Sequence, residues 1–247
     1  MKRILWLMMA FLICTTTFAQ ENERKRTPIG GRPDIKGDLL IDFGFNTLNN
    51  KPDELNTRFI PSRTFNIYYQ HPINLFGDAS GFTFNPGFGI ATDKLAFTNN
   101  RNLFNNPAVG PESSRLAPIS EVYGSNINVN RNNVGLTHFE VPLEFRYHFN
   151  KRNYNKSVRV ALGGKVGYLL NAQTKIAYTT NTGLERQVKD RQSFGFSPLR
   201  YGVYTRLGFP GFNLWAYYGL NEVFRANQGP FNSQATHLSF GVSFALF

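Results

Sequence analysis

Polar and apolar positions alternate with a period of two in several separate stretches of the chain. From Phe139 to Phe149, every second residue is apolar or aromatic, and the residues between them include Glu140, Glu144 and Arg146. Residues 157–170 alternate in the same way after a short polar segment at residues 151–156. An amphipathic helix would repeat its apolar positions every three to four residues. The pattern therefore predicts two strands joined as a hairpin.

The same alternation predicts six further strands, so eight are expected in all. The six cover residues 37–47, 63–71, 81–91, 196–208, 212–221 and 235–247. Short turns join the second strand to the third, the fourth to the fifth and the sixth to the seventh, whereas longer segments join the other pairs. Short turns alternating with long loops, and strands of about ten residues, are typical of transmembrane barrels. We therefore predict an all-β domain over residues 37–247: an eight-stranded antiparallel transmembrane up-and-down β-barrel with both ends on the periplasmic side.

The longest connection, residues 92–136, is too long to be a plain connector. Its later part alternates weakly at Ile127 and Val129, which suggests that it extends strands beyond the membrane. A ten-stranded barrel is the alternative. Because loops on a rigid scaffold carry function, we expect any partner-binding surface here and in residues 176–192.

Alternation by itself fits two opposite arrangements of the faces. A soluble exported sandwich or lipocalin-like binder would bury its apolar face, whereas a membrane barrel would turn that face to lipid. Aromatic residues near strand ends favour the membrane, as do the alternating loop lengths and an export signal. These aromatic residues are Tyr147, Phe149, Phe209 and Phe212. In hydrocarbon every backbone polar group must be paired, so only a closed sheet is allowed.

The first twenty residues have the features of a secretory signal peptide. Lys2 and Arg3 precede an apolar stretch at residues 4–14 that is too short to span a bilayer. Residues 21–36 follow as a basic segment, interpreted as a periplasmic N-terminal tail. Cys14 is the only cysteine, so the exported domain would be stable without disulfides.

Composition agrees with β-structure and argues against a multi-helix membrane protein. Aromatic residues make up 15% of the chain and charged residues 17%, and the mean hydropathy is −0.32. The formal net charge is +11, which becomes +9 without residues 1–20. This charge would permit nucleic-acid binding on electrostatic grounds, but an exported barrel rarely meets nucleic acid. No nucleic-acid partner is expected.

The charged strand positions would face the narrow interior of an eight-stranded barrel, which side chains fill. Buried charges must be paired, so we predict a salt-bridge network in the lumen, with Glu140 opposite Lys165. Such a lumen would be plugged and conduct poorly, and a polar conduit is the alternative. The predicted network consists of Asp42, Glu140, Glu144, Arg146, Arg159, Lys165, Arg200 and Arg206, with Asp38, His148 and His237 as further inward candidates.

Three prolines lie within predicted strands: Pro86, Pro142 and Pro198. Proline cannot donate a hydrogen bond to the ladder, and a closed barrel has no free edge. We therefore expect a bulge at each of these positions, or a strand boundary that lies elsewhere than predicted.

The sequence predicts no catalytic, metal or cofactor site. His237 and Ser239 lie two residues apart on one strand face, but that face would point into the barrel, away from a lipid substrate. The four histidines, at positions 71, 138, 148 and 237, lack the spacing of metal ligands. We expect a non-enzymatic structural or interaction component, with a small-solute channel as the alternative.

One string in the chain, HFEVPLEFRY at residues 138–147, resembles the PorT-like outer-membrane β-barrel family, as do the leader segment and the last strand. The resemblance covers residues 37–247 and implies an eight-stranded barrel in the outer membrane of a Gram-negative cell, in contact with outer-membrane lipid. The founding member is implicated in protein secretion, so the resemblance also points to an envelope or secretion-machinery partner at the long loops. One departure is Phe247, which is out of phase with the lipid-facing Val242, Phe244 and Leu246. A local bulge or an unpaired last residue would reconcile it.

Overall fold

The computed structural model describes residues 37–77, 80–154 and 157–246. The predicted signal peptide, the basic tail at residues 21–36 and Phe247 lie outside the described residues. The described part contains twelve strands, and its one α-helix, α1, covers Ile119–Tyr123. The strands are β1 (Asp38–Asn49), β2 (Arg63–Gln70), β3 (Ile73–Leu75), β4 (Phe82–Leu95), β5 (Arg101–Asn106), β6 (Gly110–Pro118), β7 (Ile127–His148), β8 (Arg159–Thr180), β9 (Glu185–Arg191), β10 (Leu199–Phe209), β11 (Phe212–Glu222) and β12 (Thr236–Ala245). No helix within these ranges is long and apolar enough to cross a membrane.

Eight strands close into an antiparallel barrel, in the order β1-β2-β4-β7-β8-β10-β11-β12, with β12 paired back to β1. They correspond one to one with the eight predicted strands, so the predicted fold is confirmed. The ten-stranded alternative is wrong, because β5 and β6 pair with each other in a separate sheet. Strand β9 only extends the sheet beside the far part of β8, and β3 is a three-residue strand beside β4.

The connections sort the barrel into two different ends. At the short-turn end, residues 71–81, 149–158 and 210–211 join consecutive barrel strands. At the long-loop end, the connections cover residues 50–62, 96–126, 181–198 and 223–235. The chain enters β1 and leaves β12 at the short-turn end.

The outer face of the barrel is apolar and the inner face is polar. On the outside, Phe145, Leu162 and Val166 are 59%, 66% and 55% exposed, whereas Glu144 and Arg146 inside are at most 3% exposed. In a water-soluble domain these faces would be reversed. A closed sheet with such an outer band pairs its backbone groups internally and offers hydrocarbon only apolar side chains.

Glycines on the inner face make room for large aromatic side chains. A Cβ atom at Gly163 would lie 2.9 Å from the ring of Tyr204, and one at Gly202 would lie 2.7 Å from the ring of Tyr217. Both distances are too short for a normal contact. The alternation of glycine with tyrosine across neighbouring strands therefore lets a narrow barrel contain two buried tyrosines.

Strands β7 and β8 have 22 residues each, about twice what a membrane requires. Their register shifts at Val129/Arg131 and at Thr137/His138, where bulges occur. The extension of a strand through Ile127, expected from the weak alternation, is confirmed. Residues 176–192, expected to be a loop, instead form the end of β8, a short turn and β9.

The bulges expected at two of the three prolines are absent, and that prediction was wrong. The β4–β7 register is the same on both sides of Pro86 and Pro142. The pairing between β4 and β7 is instead interrupted between the Pro86–Leu143 and Gly89–Glu140 pairs. Pro142 lies within this gap and Pro86 borders it, so both residues that lack an N–H are placed at one interruption of the ladder. Pro198 precedes β10, so a strand boundary was misplaced there.

Beyond the polar interior, the long-loop end contains a second, apolar core. Every long connection contributes to it, for example through Leu55, Phe97, Phe194 and Phe224. Phe196 and Phe224 stack with their ring centroids 4.7 Å apart. The core closes this end of the barrel. Its buried members are Leu48, Leu55, Leu95, Phe97, Leu103, Val134, Leu136, Ala172, Phe194, Phe196, Phe224 and Ala235. We call it the loop core.

The lipid-facing assignment predicts a depth-dependent cost for a charge on β7. We expect Leu143→Arg, near the middle of the apolar band, to lower the free energy of unfolding by about 2–4 kcal/mol. Phe149→Arg, at the end of the same strand, should cost about 0–1 kcal/mol because the arginine reaches the interface. Urea unfolding in lipid vesicles measures both. Equal effects at the two positions would contradict the assignment.

Candidate functional site

The barrel interior contains two ion-paired clusters, and the first surrounds Glu140. Lys165 Nζ lies 2.9 Å from Glu140 Oε2, and Arg200 Nη2 bonds the other carboxylate oxygen. Tyr68 donates its hydroxyl hydrogen to Glu140. Arg200 Nη1 also lies 2.5 Å from Asp93 Oδ2. We call these five residues the upper cluster, since they lie toward the long-loop end.

The second cluster, the lower cluster, lies toward the short-turn end. Arg206 makes a bidentate pair with Asp42, with both N–O distances 2.8 Å, and its Nε lies 3.3 Å from Glu144. Arg146 lies 2.7 Å from Glu144 and 2.5 Å from Asp38. The members are Asp38, Asp42, Glu144, Arg146, Arg159 and Arg206.

All eight residues of the predicted lumen network lie inside the barrel. The structure divides them, with Glu140, Lys165 and Arg200 in the upper cluster and the other five in the lower one. Across both clusters, five carboxylates face five Lys or Arg side chains, so the interior is formally neutral. Neutral pairing matters because an unpaired buried charge would destabilise the fold strongly.

The expected register of Glu140 and Lys165 was wrong, although the two side chains do form an ion pair. Glu140 lies opposite Gly167, and Lys165 lies opposite Pro142. The turn between β7 and β8 sets a register two residues away from the one expected. Lys165 still reaches Glu140 because diagonal neighbours on one face lie within reach of a long side chain.

Asp93 and Tyr68 are central to the upper cluster and were missed in the sequence. Asp93 lies just beyond the predicted end of its strand, which in fact continues to Leu95. The run of small inward residues at Gly87, Gly89 and Ala91 leads to Asp93 with the same period of two, and this signal could have found it. Tyr68 lies on the polar face of β2 and is 2% exposed.

Aromatic rings fill the space between the two clusters. Lys165 Nζ lies 4.1 Å from the centre of the Tyr217 ring, and the Arg206 guanidinium carbon lies 5.6 Å from that of Tyr204. These are cation–π distances. Two internal cavities, of about 30 and 10 Å³, border the clusters. Each is large enough for about one or two water molecules, so side chains occupy almost all the space that they surround.

A histidine, a serine and an acid meet at the top of the lumen without forming a catalytic triad. His237 Nε2 lies 3.2 Å from Ser239 Oγ and 3.8 Å from Asp93 Oδ1, while its Nδ1 lies 3.1 Å from Arg200. A triad requires the serine and the acid on opposite ring nitrogens. In the ranges that the structure describes, no group of three or more His, Cys, Asp or Glu side chains is placed to hold a metal ion.

A closed barrel with an apolar outer face and an ion-paired, polar interior defines a transmembrane β-barrel. A soluble lipocalin-like binder would carry its apolar residues inside, which is the reverse of this arrangement. The sequence model of the outer membrane protein beta-barrel domain family matches residues 18–225, and the chain belongs to that family. The protein is therefore an outer-membrane β-barrel protein.

Two solved structures are similar to this chain at low sequence identity. One is Ail, the attachment invasion locus protein of Yersinia pestis, in complex with the heparin analogue sucrose octasulfate; it is 12% identical, with a TM-score of 0.34, over 86% of this chain and 100% of that chain. The other is a mutant porin of Rh. blastica, 13% identical, with a TM-score of 0.20, over 85% of this chain and 99% of that chain. No curated protein matches the sequence.

Glu140 is shared by Lys165 and Arg200 in the upper cluster, so we expect its removal to destabilise the folded barrel strongly. Glu140→Ala leaves Lys165 and Arg200 buried with too few anions, so we expect the free energy of unfolding to fall by about 3–5 kcal/mol. The matched control is Arg115→Ala, which breaks the exposed Arg115–Glu121 pair and should cost less than about 1 kcal/mol. Urea unfolding of the folded barrel in vesicles, followed by its gel mobility without heating, measures both. A Glu140→Ala barrel as stable as the control would contradict the pairing.

Proposed function

We propose that the protein is a closed, non-enzymatic barrel that acts as a structural or interaction component of the outer membrane. Its long-loop end faces the cell exterior and carries the partner-binding surface. The observation that supports this most directly is the filling of the interior by paired charges and tyrosines. A barrel that transports solutes needs an open path, whereas the interior of this barrel is filled by side chains that contact one another.

Two barriers in series oppose the alternative of a small-solute channel. The upper and lower clusters block the membrane-spanning part, and the loop core covers its long-loop end. Because buried ion pairs are strongly coupled and apolar cores are densely packed, neither barrier opens without a large rearrangement. The two cavities that border the clusters are of water size.

The long connections are bonded to one another, which supports a role as a rigid platform. Ser114 donates its hydroxyl hydrogen to Phe194 O at 2.6 Å, and its backbone N–H donates to Gln228 O at 2.8 Å. Arg225 and Glu112 form an ion pair at 2.7 Å. These bonds tie β6 to the connections before β10 and β12. A preorganised surface loses little conformational entropy when it binds a partner.

The partner class that we propose is a secretion-machinery or other envelope protein. This step rests on the resemblance of residues 138–147 to the PorT-like family. In this segment Glu140, Glu144 and Arg146 belong to the interior clusters, so they serve barrel stability and leave recognition to the loops. Exposed apolar residues at the tips, Val109 and Leu184, offer contacts for such a partner.

The filled interior predicts that the purified barrel does not conduct. In planar bilayers we expect no steady large conductance, because side chains block the ion path. The reference is a porin inserted under the same conditions. Steady large openings of the wild-type barrel would overturn the plugged-lumen proposal and favour the channel.

The platform proposal predicts that crosslinks to a partner form at the loop tips and nowhere on the barrel wall. A photo-crosslinking residue at Val109 or Leu184 should capture a secretion or envelope component in intact cells, whereas the same residue at Val166, on the lipid-facing wall, should capture none. Shortening residues 101–118, which form the β5–β6 hairpin, should abolish the capture from Leu184. Capture that survives this deletion, or that occurs equally at Val166, would contradict a loop-borne interface.

A further inference from the structure

Going toward the long-loop end, the outer face changes from apolar to cationic on one side of the barrel. Directly opposite residues in antiparallel strands share a face, so successive rows can be read across β2, β4, β7 and β8. An apolar row contains Ile67, Ile90, Phe139 and Tyr168, all at least 40% exposed. The next row contains Phe65, Thr92, Thr137 and Asn171, two residues further along β2, β4 and β7 and three along β8, because of the bulge at Thr137/His138.

The next row is basic and reaches a fifth strand. It contains Arg63, Lys94, Gly135, Gln173 and, on β9, Arg191. The row above it brings Lys175 directly opposite Lys189. Arg131 shares this outer face, two residues before Asn133, which pairs with Lys175. We call this set the basic belt: Arg63, Lys94, Arg131, Lys175, Lys189 and Arg191.

The basic belt lacks the counter-charges that the interior has. Among the described residues, none of its six members forms an ion pair, whereas each Lys or Arg of the two interior clusters does. Lys94 is repelled by four cations, namely Arg58, Arg63, Arg131 and Lys175. Two neighbouring acids are directed elsewhere, because Asp93 pairs with Arg200 inside the barrel and Asp190 alternates to the opposite face of β9. Glu185 shares the belt's face of β9 but lies four residues beyond Lys189, opposite Thr179.

The belt is confined to one side of the barrel. At the same end of β10, β11, β12 and β1, the outer positions carry no cation. They are Leu199, Leu220, Glu222, Thr236 and Asn49. A general preference for basic residues at the membrane surface would populate all eight strands. A one-sided cluster of like charges, which destabilise one another, is instead expected where an anionic ligand neutralises them.

The depth of the belt matches the headgroup layer. Ile90 and Lys94 lie four residues apart on β4, or about 13 Å along a strand, which is about 10 Å along the membrane normal at a typical strand tilt. At this distance beyond the apolar row of Ile90, the strand has left the hydrocarbon and reached the polar headgroup layer. Long basic side chains at this level extend their charged ends to lipid phosphates. Arginine binds phosphate through two parallel hydrogen bonds and lysine as a point charge.

We propose that the basic belt binds the phosphate groups of the phosphorylated glycolipid in the outer leaflet, the lipid A headgroup, as a specific annular site on the β2–β9 side. The inference rests on the proposed function for its orientation, because the long-loop end must face the cell exterior to meet this leaflet. The glycolipid would supply the anions that the protein itself lacks there. It would also hold the extended β7–β8–β9 ribbon against the membrane surface.

The test uses the full chain folded in phosphatidylcholine vesicles, titrated with diphosphoryl lipid A. The variant Arg63→Gln/Lys94→Gln removes two facing members of the belt. The matched control, Lys151→Gln/Arg152→Gln, removes two exposed charges from the turn at the other end. We expect the belt variant to bind lipid A about tenfold more weakly or worse, and the control to bind like the wild type. Heat-modifiable gel mobility verifies that each barrel is folded.

Further ligands identify what is bound. The wild type should bind dephosphorylated lipid A no more tightly than the belt variant binds diphosphoryl lipid A. Inorganic phosphate at millimolar concentration should not displace diphosphoryl lipid A from the wild type. Equal lipid A affinity of the wild type and the belt variant would overturn the inference. The inference would also be overturned if the wild type bound dephosphorylated and diphosphoryl lipid A equally well. It would be overturned as well if free phosphate or a soluble sulfated glycan competed more strongly for the site than lipid A does.

A separate measurement keeps this result distinct from the proposed function. Val109→Cys in the long-loop end should react with a membrane-impermeant maleimide on intact cells, with the wild type as the control. Absence of labelling would overturn the proposed orientation. The vesicle titration offers lipid to both ends of the barrel, so a failure there with normal labelling would overturn the lipid site alone.

Discussion

The structure depends on the requirement that every backbone N–H and C=O in hydrocarbon be hydrogen-bonded within the protein. Closing β12 onto β1 meets that requirement with eight strands and removes both sheet edges. The closure makes the barrel narrow, so side chains and not solvent must fill it. From this follow the inward glycines that accommodate Tyr204 and Tyr217, and the need for every charge inside to find a partner.

Neutral pairing and apolar packing divide the protein into two zones along the barrel axis. In the membrane zone, lipid covers the apolar residues, and the interior is stabilised by ion pairs such as Arg206–Asp42. Beyond it, where water replaces lipid, the inward positions of the same strands become apolar, for example Val134 and Leu136 of β7. Each zone thus places its apolar surface away from water. One continuous hairpin, β7–β8, serves both zones.

Two groups of Lys and Arg residues have different roles. The Lys and Arg residues inside the barrel, such as Arg200 and Arg206, are buried and form ion pairs with carboxylates, so they help to fill the interior. Those of the basic belt are outside, mutually repulsive and unmatched by protein groups. A barrel whose interior is filled by side chains and whose rim carries an unneutralised cationic surface is suited to the proposed recognition at the membrane surface. This supports a scaffold whose contacts are with lipid and with partners at the loops.

The sequence by itself predicted the eight barrel strands, their order and which face of each is apolar, because a period of two is a local property of the chain. The structure excluded the ten-stranded alternative, because β5 and β6 pair only with each other. It also placed Glu140, Glu144 and Arg146 on the inner face. Tertiary structure alone decided the β7–β8 register, since a turn shifts it without altering the alternation. It also decided the loop core, because Phe97, Phe194 and Phe224 have no periodicity and meet only when distant connections converge. The basic belt is likewise invisible in the sequence, since strand pairing brings Arg63, Lys94 and Arg191 into one row.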